Sequence, residues 1–353
     1  MTEILRRHAF SITFLSVFVL FVFWASGTDE EIHRFSGFTM GTSYELQIVG
    51  AYSPDQVQEL ADQLEALLGR LDKDVFSTYS SESELSRFNR HEPGDPFSAS
   101  QELIEVLLLA RQVSEQSRGA FDVTIGPLVN LWGFGPELAM PERVPSEAAI
   151  AEAMNNVGFD YLVIDESSGA ISKQREIYVD LSAIAKGYAV DVVGSYLSSL
   201  GVGSYFLEIG GELKMTGLKP GGESWIPAIE SPEAGEARIY AIIFSRGETV
   251  ALAGSGDYRN YFQIDGQRYS HEIDPRTGRP ISHRLAAAYV LDESAARADA
   301  LATAFMIMGL DESKRLAEDL GLAVYFISKN ENERNNEGFD DYYSPAFAEY
   351  LSE

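Results

Sequence analysis

Helix and strand signals fall in blocks along this chain, and that grouping constrains the fold more than any other feature. Phe35 to Val49 reads as the entry of a strand pair, and Ser53-Pro54 then caps a helix running to about Leu71. Further helices are expected over Ser98 to Ser117, stopped by Gly119, and over Ser146 to Val157, closed by Gly158. Another spans Ile184 to Leu200 and ends at Gly201. Strands follow over Tyr205 to Thr216, Arg238 to Phe244 and Thr249 to Ile273, the last folded at an Asp265-Gly266 turn. Helices return at Ala295 to Gly309 and Asp311 to Leu320. Strict βαβ alternation is absent, so the pattern predicts an α+β fold with mixed, largely antiparallel sheets and packed helices.

No long low-complexity linker or fixed-period repeat interrupts the chain, which predicts one domain over residues 28–353. Ahead of it, Arg6 and Arg7 precede an uncharged apolar run from Ala9 to about Ala25, followed by small residues and then Asp29 and Glu30. This is the layout of an export signal or a short membrane anchor over residues 1–27. It places the rest of the chain outside the cytoplasm, with cleavage and anchoring both open.

Charge and composition exclude several functions. The chain has 54 acidic against 27 basic residues, a formal charge of −27, which disfavours a nucleic-acid partner. A polyanionic ligand needs local compensation from a metal ion, helix N-termini or placed cations. Cysteine is absent, which removes thiolate nucleophiles and cysteine-type zinc sites. There is also no Walker loop, no G-x-G-x-x-G fingerprint and no G-x-S-x-G elbow.

Four stretches carry candidate chemistry. In "ADALATAFMIMG", Asp299 and Thr303 stand at i and i+4, so two hard oxygen donors share a helix face among small and apolar neighbours. They read either as a solvated face or as ligands for Mg2+. In "VDLSAIAKGYAVDVV", Asp180 ends a strand and Lys186-Gly187 sit in the first helical turn. One reading is a helix capped by Asp180 or Ser182 with Lys186 in solvent. The other is a ligand wall, with Asp180 meeting a hydroxyl or amide, the Ala183 carbonyl a metal, and Lys186 an anion. "GAFDVTIGPLVNLWGFG" sets Phe121, Trp132 and Phe134 beside Asp122 and Thr124, to receive a flat ring or to build a core with turns. "YSHEIDPRTGRPI" places His271 near a turn on Pro275 and Gly278, where the imidazole reads as structural or catalytic.

Taken in order, "TMGTSY", "FSTYSSESELSRFN", "GAFDVTIGPLVNLWGFG", "VDLSAIAKGYAVD", "LEIGGEL", "SHEIDPRTGRPI" and "ADALATA" resemble the ApbE family of FAD:protein FMN transferases, from roughly Phe35 to Gly309. The resemblance implies cleavage of the FAD pyrophosphate, attachment of FMN to a Thr or Ser of an acceptor protein through a phosphoester, and release of AMP. It implies Mg2+ held by Asp299, Thr303 and the Ala183 carbonyl. It assigns flavin nucleotide contacts to Met40, Tyr79, Ala120, Phe121, Asp122, Asp180 and Lys186, and it makes His271 the candidate proton acceptor. Ser182-Ala183 stand where many relatives carry Gly-Gly, so added methyls narrow the pocket while the carbonyl is kept. Acceptors in the family are typically membrane electron-transfer subunits or exported flavoproteins, consistent with a site on the periplasmic side of a bacterial inner membrane. Two alternatives are an Mg-dependent FAD pyrophosphatase and a non-catalytic periplasmic flavin-binding protein.

Overall fold

The computed structural model describes residues 30–135, 144–232, 239–257, 261–330 and 338–352. The expected export segment lies outside them. Among the described residues, no helix is long and apolar enough to cross a membrane.

Eight strands form the central sheet: β1 (Glu31–Thr39), β2 (Thr42–Gly50), β3 (Tyr205–Ile209), β4 (Glu212–Thr216), β5 (Val250–Gly256), β6 (Leu285–Asp292), β7 (Ala323–Lys329) and β8 (Phe339–Tyr343). They lie in the sheet in the order in which they occur in the chain, each antiparallel to the next. The expected α+β fold with largely antiparallel sheets is therefore what the chain adopts.

Period-two alternation sorts the side chains between two cores. In β3, Tyr205, Leu207 and Ile209 enter one core, while Phe206 packs against the other. The first face is covered by the helices α1 (Pro54–Gly69), α2 (Gln101–Gln116), α3 (Ala185–Ser199) and α4 (Ala295–Met308), with α5 (Leu310–Leu320) following. The second face is covered by Trp225, Ile229, Ile243 and Phe347. A third, smaller core gathers Leu128, Trp132, Ile150, Phe262 and Ile273.

Local signals explain most boundaries. Ser53 caps α1 with a reciprocal Gln56 capping box, and Ser100 and Ser146 accept from backbone amides at the starts of their helices. The first helix passes into a π-helical turn over Arg70–Phe76. The strands expected over Thr249 to Ile273 are β5 and the hairpin Tyr261–Ile264/Gln267–Ser270, folded where expected. Its Asp265-Gly266 turn has both φ angles positive, as a two-residue type I′ turn requires. The strand expected from Arg238 is seen at Ile239–Ile242, Arg238 itself lying outside the described residues.

The connections place the site. Residues 51–204 lie between β2 and β3, yet those strands pair directly, Tyr44 opposite Ile209. The Met40-Gly41 turn and the Gly210-Gly211 turn therefore meet at the same end of the sheet. The start of α3 and the middle of α4 pack beside that end.

Candidate active site

One cleft of about 820 Å³ opens at this end of the sheet. Its volume falls within the range of cofactor and substrate sites, about 300–1,000 Å³. Six of the seven motif segments line it, through Ser43, Asp122, Ala183, Gly211, His271 and Asp299 among others. Only "FSTYSSESELSRFN" contributes no wall.

The centre of the cleft is built by two helices crossing at close range. Gly187 allows that approach: a Cβ there would stand 2.4 Å from the Ala295 carbonyl oxygen and 2.8 Å from the Ala296 Cα. The Gly187 N–H donates to Asp299 Oδ2 at 3.1 Å. An amide at this position points back toward residue 183, but here it is taken by the carboxylate. Among the described residues, no backbone amide donates to the Ala183 carbonyl. Helix α3 starts at Ala185 with Ile184 as its cap and no side-chain cap bond, so neither Asp180 nor Ser182 is the cap that one sequence reading allowed. Asp180 instead accepts from the Ser182 amide at 2.8 Å.

Asp191, four residues beyond Gly187, fixes the start of α4. Its carboxylate accepts from the amides of Ala295 and Ala296, both at 3.0 Å, from the Ser294 hydroxyl, and from Lys214 Nζ at 2.6 Å. An acidic group at a helix N-terminus meets both the free amides and the dipole. A turn further along α4, Asp299 is 3% exposed and Thr303 Oγ1 lies 3.1 Å from Ser255 Oγ on β5.

Lys186 is not a solvated lysine. Its Nζ donates to Glu212 Oε1 at 2.9 Å and stands 3.9 Å from Asp299 Oδ2. Burial works to lower its pKa, but the charges of Asp299 and Glu212 outweigh that and hold the ammonium above its ordinary value. Burial, and the proximity of the two carboxylates to each other, push Glu212 upward against the pull of Lys186. Burial raises Asp299, opposed by Lys186 and the Gly187 amide. Three buried acids, Glu212, Asp299 and Glu272, share the cleft with the Lys186 ammonium, the carbonyl of Ala183 and the hydroxyl of Thr303, and burial disfavours their ionised forms until a further cation is present. A hard cation fits such a donor set: carboxylate, hydroxyl and backbone carbonyl are all oxygen ligands. Among the described residues, no three His, Asp or Glu side chains form a metal-binding cluster, so these mixed donors are the ones on offer.

The remaining candidate residues are distributed unevenly. Ala120, Phe121 and Asp122 reach the cleft wall, Phe121 being 2% exposed and held by the Ser117 hydroxyl at 3.0 Å. Asp122 Oδ1 accepts from the Thr124 amide and hydroxyl, and Oδ2 from the Phe159 amide at 3.0 Å. Burial raises its pKa, while these hydrogen bonds act the other way. Met40 occupies the β1–β2 turn with φ of 49° and packs on the main core, outside the cleft lining. Tyr79 is 72% exposed and also outside that lining. Trp132 is buried in the third core and donates to the Gly278 carbonyl at 2.9 Å, tying its motif to the His271 hairpin rather than offering a ring to the cleft. His271 Nε2 stands 3.7 Å from Glu272 Oε1, with the ring edge-on to Phe134.

Sequence reasoning passed over the supports. Asn89, in the motif that lines no wall, brackets Val179 with both its amide groups at 2.8 Å, fixing the extended segment that presents Asp180; the strand expected to end at Asp180 is reduced to an isolated bridge between Tyr178 and Ile125. Asp191 and Glu212 were both inside quoted motifs, but neither a capping partner 100 residues away nor a lysine on another element is visible in local spacing.

A sheet end, a helix start and a hairpin share this one cleft. The structure matches "Flavin Transferase ApbE from Vibrio cholerae" with a TM-score of 0.81 at 41% identity, covering 91% of this chain and all of the other. The flavinyl transferase ApbE of Pseudomonas stutzeri, in its apo form, matches with a TM-score of 0.81 at 40% identity, over 91% of this chain and 97% of the other. The chain belongs to the ApbE family, whose model matches residues 40–326. Among curated relatives, the FAD:protein FMN transferase of Vibrio cholerae serotype O1 is 43% identical over 92% of this chain and 93% of its own length. That of Escherichia coli K12 is 34% identical over 91% and 90%.

Proposed function

We propose that this protein transfers FMN from FAD to a Thr or Ser hydroxyl of an acceptor protein, forming a phosphoester and releasing AMP. The observation that carries the reading is the convergence of six separated motif segments on one cleft, with Asp299, Thr303 and the free Ala183 carbonyl at its centre. These three groups would hold Mg2+, which when bound supplies positive charge to the diphosphate oxygens and to the departing AMP.

The chain's own residues do the rest. Lys186 keeps a fixed positive charge inside the cleft, held in place by Glu212. Asp180 and the segment Ala120 to Asp122 flank the nucleotide, and the closed hydrogen-bond set of Asp122 makes it a rigid wall rather than a free acceptor. Met40 and Tyr79 remain nucleotide contacts in this reading; the exposed ring of Tyr79 is available to stack on an aromatic system. His271 accepts the proton of the incoming hydroxyl, oriented by Glu272 and Phe134.

The proposal extends to place and partner. Residues 1–27 act as export signal or anchor, so the reaction occurs on the periplasmic side of the inner membrane. The acceptor is a membrane electron-transfer subunit or another exported flavoprotein. The test combines purified protein, FAD, MgCl2 and a candidate acceptor: a fluorescent acceptor band that survives denaturing electrophoresis is expected from the wild type. Asp299→Ala is expected to lower the rate at least a hundredfold. FMN and AMP formed equally fast without an acceptor would instead identify a pyrophosphatase.

A further inference from the structure

Glu212 follows the Gly210-Gly211 turn and is 3% exposed, yet it lines the cleft. Its two oxygens differ. Oε1 accepts from Lys186 at 2.9 Å, whereas Oε2 is buried and has no hydrogen-bond partner among the described residues. A buried acceptor left unmade is costly, and a carboxylate oxygen more so than a neutral one. In a core such an atom is a defect; at a substrate wall it is a place for a donor carried by the ligand. The Lys186 ammonium is directed to Oε1 and not to Oε2, while Asp299, another buried acid of the cleft, is served by the Gly187 amide.

We infer that Glu212 is a substrate contact, with Oε2 accepting a hydrogen bond from a substrate hydroxyl. The inference rests on the transferase reading, under which two hydroxyl sources reach this cleft: the ribityl or ribose groups of FAD and the Ser or Thr of the acceptor. A hydroxyl is the donor of choice because it can turn its single proton toward a fixed carboxylate while its oxygen stays available for a second partner. Glu212 lies on the same side of the sheet as Lys186 and Asp299, so the hydroxyl it binds is held beside the diphosphate.

The test uses Glu212→Met, which keeps side-chain length and removes the acceptor. It is made in the wild type and in a Lys186→Met background, with thermal unfolding recorded for every variant. Dissociation constants for FAD are read by flavin fluorescence with MgCl2 present, and KM is read for an acceptor protein that the wild type flavinylates. A weakening of FAD binding by about tenfold or more in both backgrounds supports the contact and assigns a nucleotide hydroxyl. A comparable rise in acceptor KM with FAD binding unchanged supports it and assigns the acceptor hydroxyl. No change in either quantity overturns it. An effect present in the wild type and absent in the Lys186→Met background also overturns it, because Glu212 would then act only by bracing the lysine. The FAD arm needs no transfer, so it reads out even if the wild type proves to flavinylate nothing.

Discussion

Gly187 shows how much of this site depends on the absence of a methyl group. Its Cα faces backbone rather than side chains across the α3–α4 crossing, so nothing soft can yield to an added Cβ. Gly187→Ala is expected to push the helices apart, at a cost of about 1–3 kcal/mol, and to lengthen the 3.1 Å bond to Asp299. The measurable result is a rise of at least tenfold in the MgCl2 concentration giving half-maximal FMN transfer, and unchanged Mg2+ dependence would refute it. At this scale the sequence was partly legible. The pair Asp299 and Thr303 and the small run ending in Lys186-Gly187 announce themselves by spacing. What spacing does not give is the partner: that the glycine serves a helix crossing, and that its amide frees the Ala183 carbonyl by turning to a carboxylate 112 residues away.

At the scale of elements, the site is a helix start propped by another helix. Ser294 caps α4 through the Arg297 amide, and Asp191 reaches from α3 to back that cap at the Ser294 hydroxyl and the next two amides while pairing with Lys214. Asp191→Ala strands two helix amides and a largely buried ammonium. The expected loss is about 3 kcal/mol, read as a lower urea midpoint, with transfer activity falling because α4 carries Asp299 and Thr303. Asp191→Asn retains one acceptor and is expected to fall between the two. An unchanged midpoint for Asp191→Ala would show that this backing is idle.

Elements were also unequally readable. Helices α1 and α2 were recovered from their serine caps and apolar spacing. Strands β6 and β7 were missed for a physical reason: "LAAAYVLD" and "AVYFISK" are buried on both faces, so they lack the period-two pattern, and alanine in β6 carries a helical preference. Only the partner strands β5 and β7, flanking β6, impose the extended form.

For the whole molecule, the acidic excess makes titration a global variable. His283 is half-buried against the end of α4, with its ring nitrogens turned away from solvent beside the backbone of Met306 and Ile307. Burial holds its pKa below the ordinary histidine value. A depressed histidine pKa means that the charged form is disfavoured in the fold, so its contribution to stability is present above about pH 6.5 and lost as pH falls. Asp122, Glu272 and Asp299 are raised by burial and act in the opposite sense, favouring the fold as pH falls. The difference between His283→Leu and the wild type isolates the histidine. Between pH 7 and pH 5 the wild type is expected to lose stability relative to the variant, by at most about 1.4 kcal/mol per pH unit for one proton. Parallel urea midpoints across that range would contradict it.

The direct pairing of β2 with β3 across residues 51–204 also sets an order of events when the chain is made. The β1–β2 hairpin closes locally through a two-residue turn, but the inner edge of β2 has no partner until residues 205–209 leave the ribosome. For that interval a hydrophobic strand bearing Leu46 and Ile48 presents open backbone donors and acceptors, the form of surface that templates pairing with another chain. Slow closure is the corresponding expectation for its refolding, since a contact this distant in sequence is among the last that loop entropy permits. The same connection that brings the catalytic walls together makes the nascent protein dependent on being kept apart from its own copies until its third strand arrives.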